Sequence, residues 1–201
     1  MDERLNADDV GVSLSTLRRV VLAVPLSIVA LAAPPAAATA APRCADADLM
    51  PAQDNLPVIR EATLCLLNRE RTSRGLPKLT SSPQLRRSAQ SFSVAMVRQN
   101  FFDHVSPGGS TLLSRVRHGT EYLAGARNYA LGENIAWGSG RYATPSQTVA
   151  GWMDSAGHRH NILNRRFRHV GIGIAIGAPA DAQGMQAATY TTDFGFRTLS
   201  Q

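Results

Sequence analysis

Val170-Gly171-Ile172-Gly173-Ile174-Ala175-Ile176 puts a branched side chain at every second position and glycine or alanine between them. A period of two belongs to a β-strand, whose successive side chains point to opposite faces of a sheet. One face of this strand therefore carries Val and Ile while the other carries almost nothing. Downstream, Ala187 to Phe194 includes Thr189, Tyr190, Thr191 and Thr192, which also favour extended structure. Gly177 to Gly184 holds the turn residues of a hairpin loop joining the two. A third strand is expected around Gly132–Ala136.

Upstream the period changes to that of a helix. From Leu56 to Arg74, Ile59, Ala62, Leu66 and Leu67 recur at helical spacing, with Arg60, Glu61, Arg69, Glu70 and Arg71 set between them as polar positions. Gly75-Leu76-Pro77 ends that helix. Ser82-Pro83 reads as an N-cap and first-turn proline, ahead of the stripe Leu85, Ala89, Phe92 and Met96. Thr111 to His118 suggests a short third helix. Thr144-Pro145 repeats the cap signature before Val149, Trp152 and Met153, a fourth. Helices come before strands instead of alternating with them, so the expected class is α+β with antiparallel pairing.

The chain has 201 residues, 2 cysteines, 21 Lys+Arg against 15 Asp+Glu and a formal net charge of +6. That length suits one domain, and two cysteines exclude a disulfide-dense miniature. No run of 18 apolar residues supports a spanning helix. Arg18-Arg19, the apolar stretch Val20 to Ala33 broken by Pro25, and Ala38-Thr39-Ala40 make the three parts of a secretory signal peptide. The expected organisation is a leader at 1–40 cut after Ala40 (Ala38 the second choice), an extension at 41–55 and a domain at 56–201. An uncleaved anchor is the alternative, and the export route, general or twin-arginine, stays open. Removing the leader deletes Arg4, Arg18 and Arg19 with Asp2, Glu3, Asp8 and Asp9, leaving a net charge of +7. An exported chain meets oxidising conditions, so Cys44 and Cys65 are expected to pair, two free thiols being the alternative. The mature chain has no transmembrane segment and is expected to be monomeric, secreted or retained at the cell envelope.

Three segments combine polar residues with loop formers: Phe101 to Gly109, Gly132-Glu133-Asn134-Ile135, and Trp152 to Leu163. Two imidazoles and a carboxylate on separate loops are the makings of a metal site or an acid/base pair. The same residues also serve as hydrogen-bonded polar core. Asn134 and Asn161 suit side-chain-to-backbone bonds that structure loops. Ser106, followed by Pro107, reads as a turn residue, because no nucleophile elbow surrounds it. His160 is an alternative to His158, His118 ends a helix, and His169 opens a strand as an exposed residue. Asp193 is the one late carboxylate placed to approach the other candidates.

In order along the chain, Phe102-x-His104-x-Ser106-Pro107, Gly132-Glu133-Asn134-Ile135, Trp152-Met-x-Ser-x-Gly-His158-Arg-x-Asn161-Ile-Leu163 and Val170-Gly-Ile-Gly173 follow Leu67-Asn68-Arg69-Glu70-Arg71. Together they resemble the bacterial, SCP-like extracellular branch of the CAP superfamily (cysteine-rich secretory proteins, antigen 5, pathogenesis-related 1), over roughly residues 60 to 196. The resemblance implies a three-layer α-β-α sandwich with a central antiparallel sheet. It also implies a cleft in which His104 and His158 match the family's two histidines and Glu133 its glutamate. Many members carry a second acidic residue soon after the first histidine, whereas residues 105–120 here contain none.

Two imidazoles can take two positions around zinc or another divalent cation, with Glu133 as a further ligand, a partner fixing a histidine tautomer, or a base. Two functions follow from the resemblance. The first is a non-enzymatic extracellular binding domain for a lipid or cell-surface ligand, with a groove between the first and fourth helices as the lipid site. The alternative is a metal-assisted hydrolase or peptidase with Glu133 as its base. A nucleic-acid reader, suggested by charge alone, is excluded for want of any reading module. The cluster Arg165-Arg166-Phe167-Arg168 is instead expected to contact anionic lipid or another anionic envelope component.

Overall fold

A computed structural model describes residues 43–200. The leader expected at 1–40 lies outside the described residues. Helix α1 spans Leu56–Thr72, β1 Thr80–Ser81, α2 Pro83–Arg98, α3 Leu112–Gly119, β2 Ala126–Ser139, α4 Pro145–Asp154, α5 Ala156–Leu163, β3 His169–Ile176 and β4 Ala187–Leu199. The strands lie in the order β1-β3-β4-β2. β3 and β2 each pair antiparallel with β4, whereas β1 joins β3 in parallel over two residues only. The sheet is thus antiparallel in its body and mixed at one edge. Helices α2 and α3 cover one face, and α1, α4 and α5 the other. The fold is an α+β three-layer sandwich.

The glycine face of β3 explains how closely the layers meet. A Cβ on Gly171 would lie 2.0 Å from the Leu85 backbone, and one on Gly173 2.2 Å from that of Ala89. Helix α2 therefore rests directly on the strand where the side chains are missing. The branched face of β3, with Val170, Ile172 and Ile174, packs instead into the main core with Ile59, Leu66, Leu67, Val149, Trp152 and Ile162. Gln90 of α2 guards the strand's outer edge: its amide donates to Ile174 O (2.8 Å) and accepts from Ile174 N (3.1 Å).

Most helix signals hold locally. The Ser82 hydroxyl accepts from Leu85 N, and Thr111 forms a reciprocal capping box with Ser114. Thr144 differs, because its hydroxyl donates to Arg141 O at 3.0 Å, in the short turn before α4. The stretch from Trp152 to Leu163, read as loop-bearing, is two helices meeting at Ser155. Residues 43–55, ahead of α1, pack onto the folded body. Cys44 is disulfide-bonded to Cys65 of α1 with Cα atoms 5.7 Å apart, Ser146 N donates to Ala47 O, and Gln186 Nε2 donates to Pro51 O.

Arg71 is the exception on α1. Periodicity set it among the polar positions between the apolar stripe, yet it is fully buried. Its guanidinium donates to the carbonyls of Pro77, Ile162, Asn164 and Phe167. Two of these, Ile162 and Asn164, lie in and just beyond the last turn of α5, where carbonyls lack intrahelical partners and the helix dipole favours a cation.

Candidate functional site

The Gly132-Glu133-Asn134 triplet sits in the middle of β2 and divides its tasks between the two faces of the sheet. A Cβ on Gly132 would come within 2.8 Å of the Phe167 ring and 3.0 Å of Asn161 Oδ1, so only glycine lets α5 approach. Asn134, fully buried on that same face, donates to His158 O at 3.1 Å. Asn161 of α5 donates to Glu133 O at 3.0 Å and to Asn134 Oδ1 at 2.9 Å. Trp152 Nε1 adds a bond to Ile135 O at 3.1 Å. These contacts clamp α4 and α5 to the strand. Between Gly132 and Asn134, Glu133 necessarily points to the opposite face, toward α2 and α3.

On that face Glu133 is almost wholly buried, and both of its oxygens are engaged. Oε1 is 2.8 Å from His104 Nδ1, and Oε2 accepts from the Arg115 guanidinium. His104 lies in the loop after α2, and its side chain is 53% exposed. The Glu133 bond raises the His104 pKa above the ordinary imidazole value, against a smaller opposing effect of burial. His158 shifts the other way. Burial lowers its pKa, and the charge of His104 lowers it further. One imidazole is therefore held toward its cationic form and its neighbour toward neutrality.

Asp193 occupies the position opposite Glu133 on β4 and is completely buried. Neither of its oxygens has a hydrogen-bond partner, and Ser88 Oγ lies near without reaching bonding geometry. Burial first, and the Glu133 charge second, push this carboxyl well above the usual range. The late carboxylate thus sits behind Glu133 in the wall of the site and does not reach the open cleft.

The remaining candidates separate from this group. His160 is exposed and lines a shallow depression with Arg159 and Arg165. His118 is exposed on α3. His169, expected to be exposed, is half-buried instead, with Nδ1 2.9 Å from the hydroxyl of the buried Tyr122. Ser106 tightens its turn by accepting from Ser110 N. Arg165, Arg166 and Arg168 are exposed on the α5–β3 connection, Arg166 lying over the Phe196 ring.

Arg115 escaped the sequence reading altogether. It stands between Leu112 and Val116 on a short helix, and nothing in the pattern distinguishes it from the exposed Arg117. Its presence decides whether the cleft suits a divalent cation. A metal needs free lone pairs from several converging donors. Here the Glu133 carboxylate is already bonded on both oxygens, once by a guanidinium that repels any second cation. Among the described residues no three His, Cys, Asp or Glu side chains are grouped to hold a metal. The donor set expected for zinc does not fit one.

The family model for the cysteine-rich secretory protein (CAP) family matches residues 64–192. The chain belongs to the CAP family. Two curated relatives come from Bacillus subtilis strain 168. The uncharacterized protein YkwD is 41% identical over 109 residues, covering 54% of this chain and 39% of the relative. The uncharacterized membrane protein YlbC is 34% identical over 111 residues, covering 55% and 30%. The chain therefore spans well under half the length of these relatives. Among solved structures, an extracellular SCP-domain protein from Bacillus anthracis str. Ames superposes with a TM-score of 0.53 at 28% identity, over 69% of this chain and 42% of that one. An outer surface protein from Borrelia burgdorferi has a TM-score of 0.54 at 15% identity, over 74% and 97%. That second likeness is of fold alone. This CAP domain, among its described residues, has no helix long and apolar enough to cross a membrane.

A larger open cleft of this CAP domain lies elsewhere. It encloses about 760 Å³ beside α1, between the N-terminal segment, the start of α2 and β3. The groove expected between α1 and α4 is closed, because Ile59 and Leu66 pack with Val149 and Trp152 in one core. Val58, Ala62, Leu64 and Ile172 contribute apolar walls to the open cleft, with Arg60, Arg86, Asp46 and Glu61 as its charged lining. Burial lowers the Arg60 pKa and the nearby charge of Arg86 adds to the effect, against a smaller opposing effect of Glu61.

Proposed function

We propose that this CAP domain is an extracellular, non-enzymatic binding module whose ligand is an anionic amphiphile. The single observation that carries the proposal is the cleft beside α1. Its volume is in the range of small-molecule sites, its walls are more apolar than polar, and Arg60 and Arg86 line it beside Asp46 and Glu61, with neither guanidinium held in an ion pair among the described residues. An acyl chain fits the walls, and a carboxylate or phosphate head group suits Arg60 and Arg86. Export of the chain is supported by its leader-like first forty residues and by the disulfide. Arg165, Arg166 and Arg168 form a separate exposed contact for an anionic envelope component.

The binding role is favoured over a metal-assisted hydrolase by the state of Glu133. A general base works best where its carboxylate is poised to gain a proton, whereas the Arg115 guanidinium and the His104 ring on the two Glu133 oxygens favour its ionised form. Fluorescent fatty-acid displacement with the purified mature chain tests the proposal. Saturable one-to-one uptake is expected, weakened by Arg86→Glu and abolished by Val58→Asp together with Ala62→Asp. Uptake that is not saturable, or is indifferent to these changes, refutes it. In a separate envelope-pelleting assay, neutralising Arg165, Arg166 and Arg168 together is expected to release the protein, and unchanged pelleting rejects that contact.

A further inference from the structure

Arg115 has more partners than a surface arginine of a two-turn helix needs. Besides the Glu133 carboxylate, its Nη1 reaches His104 O at 3.3 Å and Ser110 O at 3.0 Å. Its Cζ lies 3.4 Å from the centre of the Phe92 ring, on α2. The side chain is only 9% exposed and the Glu133 side chain 3%. One cation therefore neutralises a buried carboxylate, pins the loop that carries His104, and anchors both to α2.

Those are the services a bound metal ion renders in a histidine–carboxylate cleft. We propose that Arg115 is the resident cation of this cleft, standing in the place of a divalent metal and excluding one. The geometry gives the reason. Guanidinium and metal compete for the same oxygen, Glu133 Oε2, and a buried carboxylate that stays ionised needs a positive partner. Once the arginine is seated, the donors left toward the opening among the described residues are two imidazoles without an anionic ligand. A planar fork tied to three acceptors and an aromatic face is not easily displaced, because its position is fixed by several elements at once. Removing the guanidinium should free Glu133 Oε2 beside His104, the pair of donors that the arginine now holds apart from any other cation.

Zinc titration of the full chain tests this, by calorimetry and by the shift in thermal midpoint, for wild type, Arg115→Gln and Arg115→Gln combined with His104→Ala. Wild type is expected to show no one-to-one zinc site that depends on His104. Arg115→Gln is expected to gain such a site, roughly tenfold tighter or more than any wild-type uptake, with a midpoint that rises on adding zinc. The double variant should lose that gain. If Arg115→Gln folds only when zinc is present, the interchange of the two cations is supported. Wild-type zinc binding lost in His104→Ala overturns the proposal. So does a folded Arg115→Gln that takes no zinc, or an unfolded one that zinc does not rescue.

Discussion

Replacing Arg71 with methionine removes a buried cation while keeping much of its aliphatic volume. The guanidinium bonds Pro77 O at 2.8 Å, Ile162 O at 2.6 Å, Asn164 O at 3.0 Å and Phe167 O at 3.2 Å. Hydrogen bonds to a charged group contribute about 1.5–3 kcal/mol each, and the bonds to Ile162 and Phe167 lie where water cannot replace the donor. Relief from desolvating an unpaired cation offsets part of the loss. The expected net destabilisation is about 3–5 kcal/mol, a large fraction of the roughly 5–15 kcal/mol available to a domain. Urea unfolding followed by the fluorescence of the buried Trp152 measures it. The loss should also be local: amide exchange should accelerate first between Ile162 and Phe167, before the β3–β4 ladder. Lysine at 71, with a point charge in place of a planar fork, should fall between the two. A methionine variant within about 1 kcal/mol of wild type would refute the view that these carbonyls depend on Arg71.

Gly173→Ala should destabilise by about 1–3 kcal/mol or prevent folding, because its Cβ would meet the Ala89 backbone at 2.2 Å; an unchanged unfolding midpoint would contradict direct helix-on-strand contact. Reducing the Cys44–Cys65 bond, which closes a loop of sequence separation 21, should cost about 3 kcal/mol by chain entropy, read from unfolding curves with and without reductant. NMR titration should find His104 above and His158 below the ordinary imidazole value, with Glu133→Gln lowering the first. The signs follow from linkage. Stability from His104 is complete below its unfolded pKa and is lost as pH rises through the raised folded value. The His158 contribution is instead lost as pH falls below its unfolded pKa toward the lowered folded one. Coincident titration of the two rings would show that Glu133 does not separate them.

Much of the framework was legible because it depends on local patterns. The Gly-Ile alternation of β3 requires a bare face, and α2 fills it. Ser82-Pro83 and Thr111 cap helices because a hydroxyl at that position reaches a backbone N–H a turn away. The pairing of Cys44 with Cys65 followed from the expected compartment and a short loop. His104, Glu133 and His158 were marked by motif resemblance, and the polar bonds of Asn134 and Asn161 by residue type.

What the chain order could not express are contacts between groups far apart in sequence. Arg71 shares its helix with the exposed Arg69, and its burial follows from carbonyls contributed about ninety residues later. Arg115 and Arg117 are indistinguishable in the sequence, yet one supplies the counter-charge of the candidate site. Nor could chain order show that Ile59 and Leu66 of α1 pack with Val149 and Trp152 of α4 while an open cleft lies on the other flank of α1. The strand pattern by itself determined that Val170–Ile176 has one apolar and one empty face, since backbone pleating demands it. Only the tertiary structure decided which cation faces Glu133, because a buried charge is assigned its partner by the fold around it.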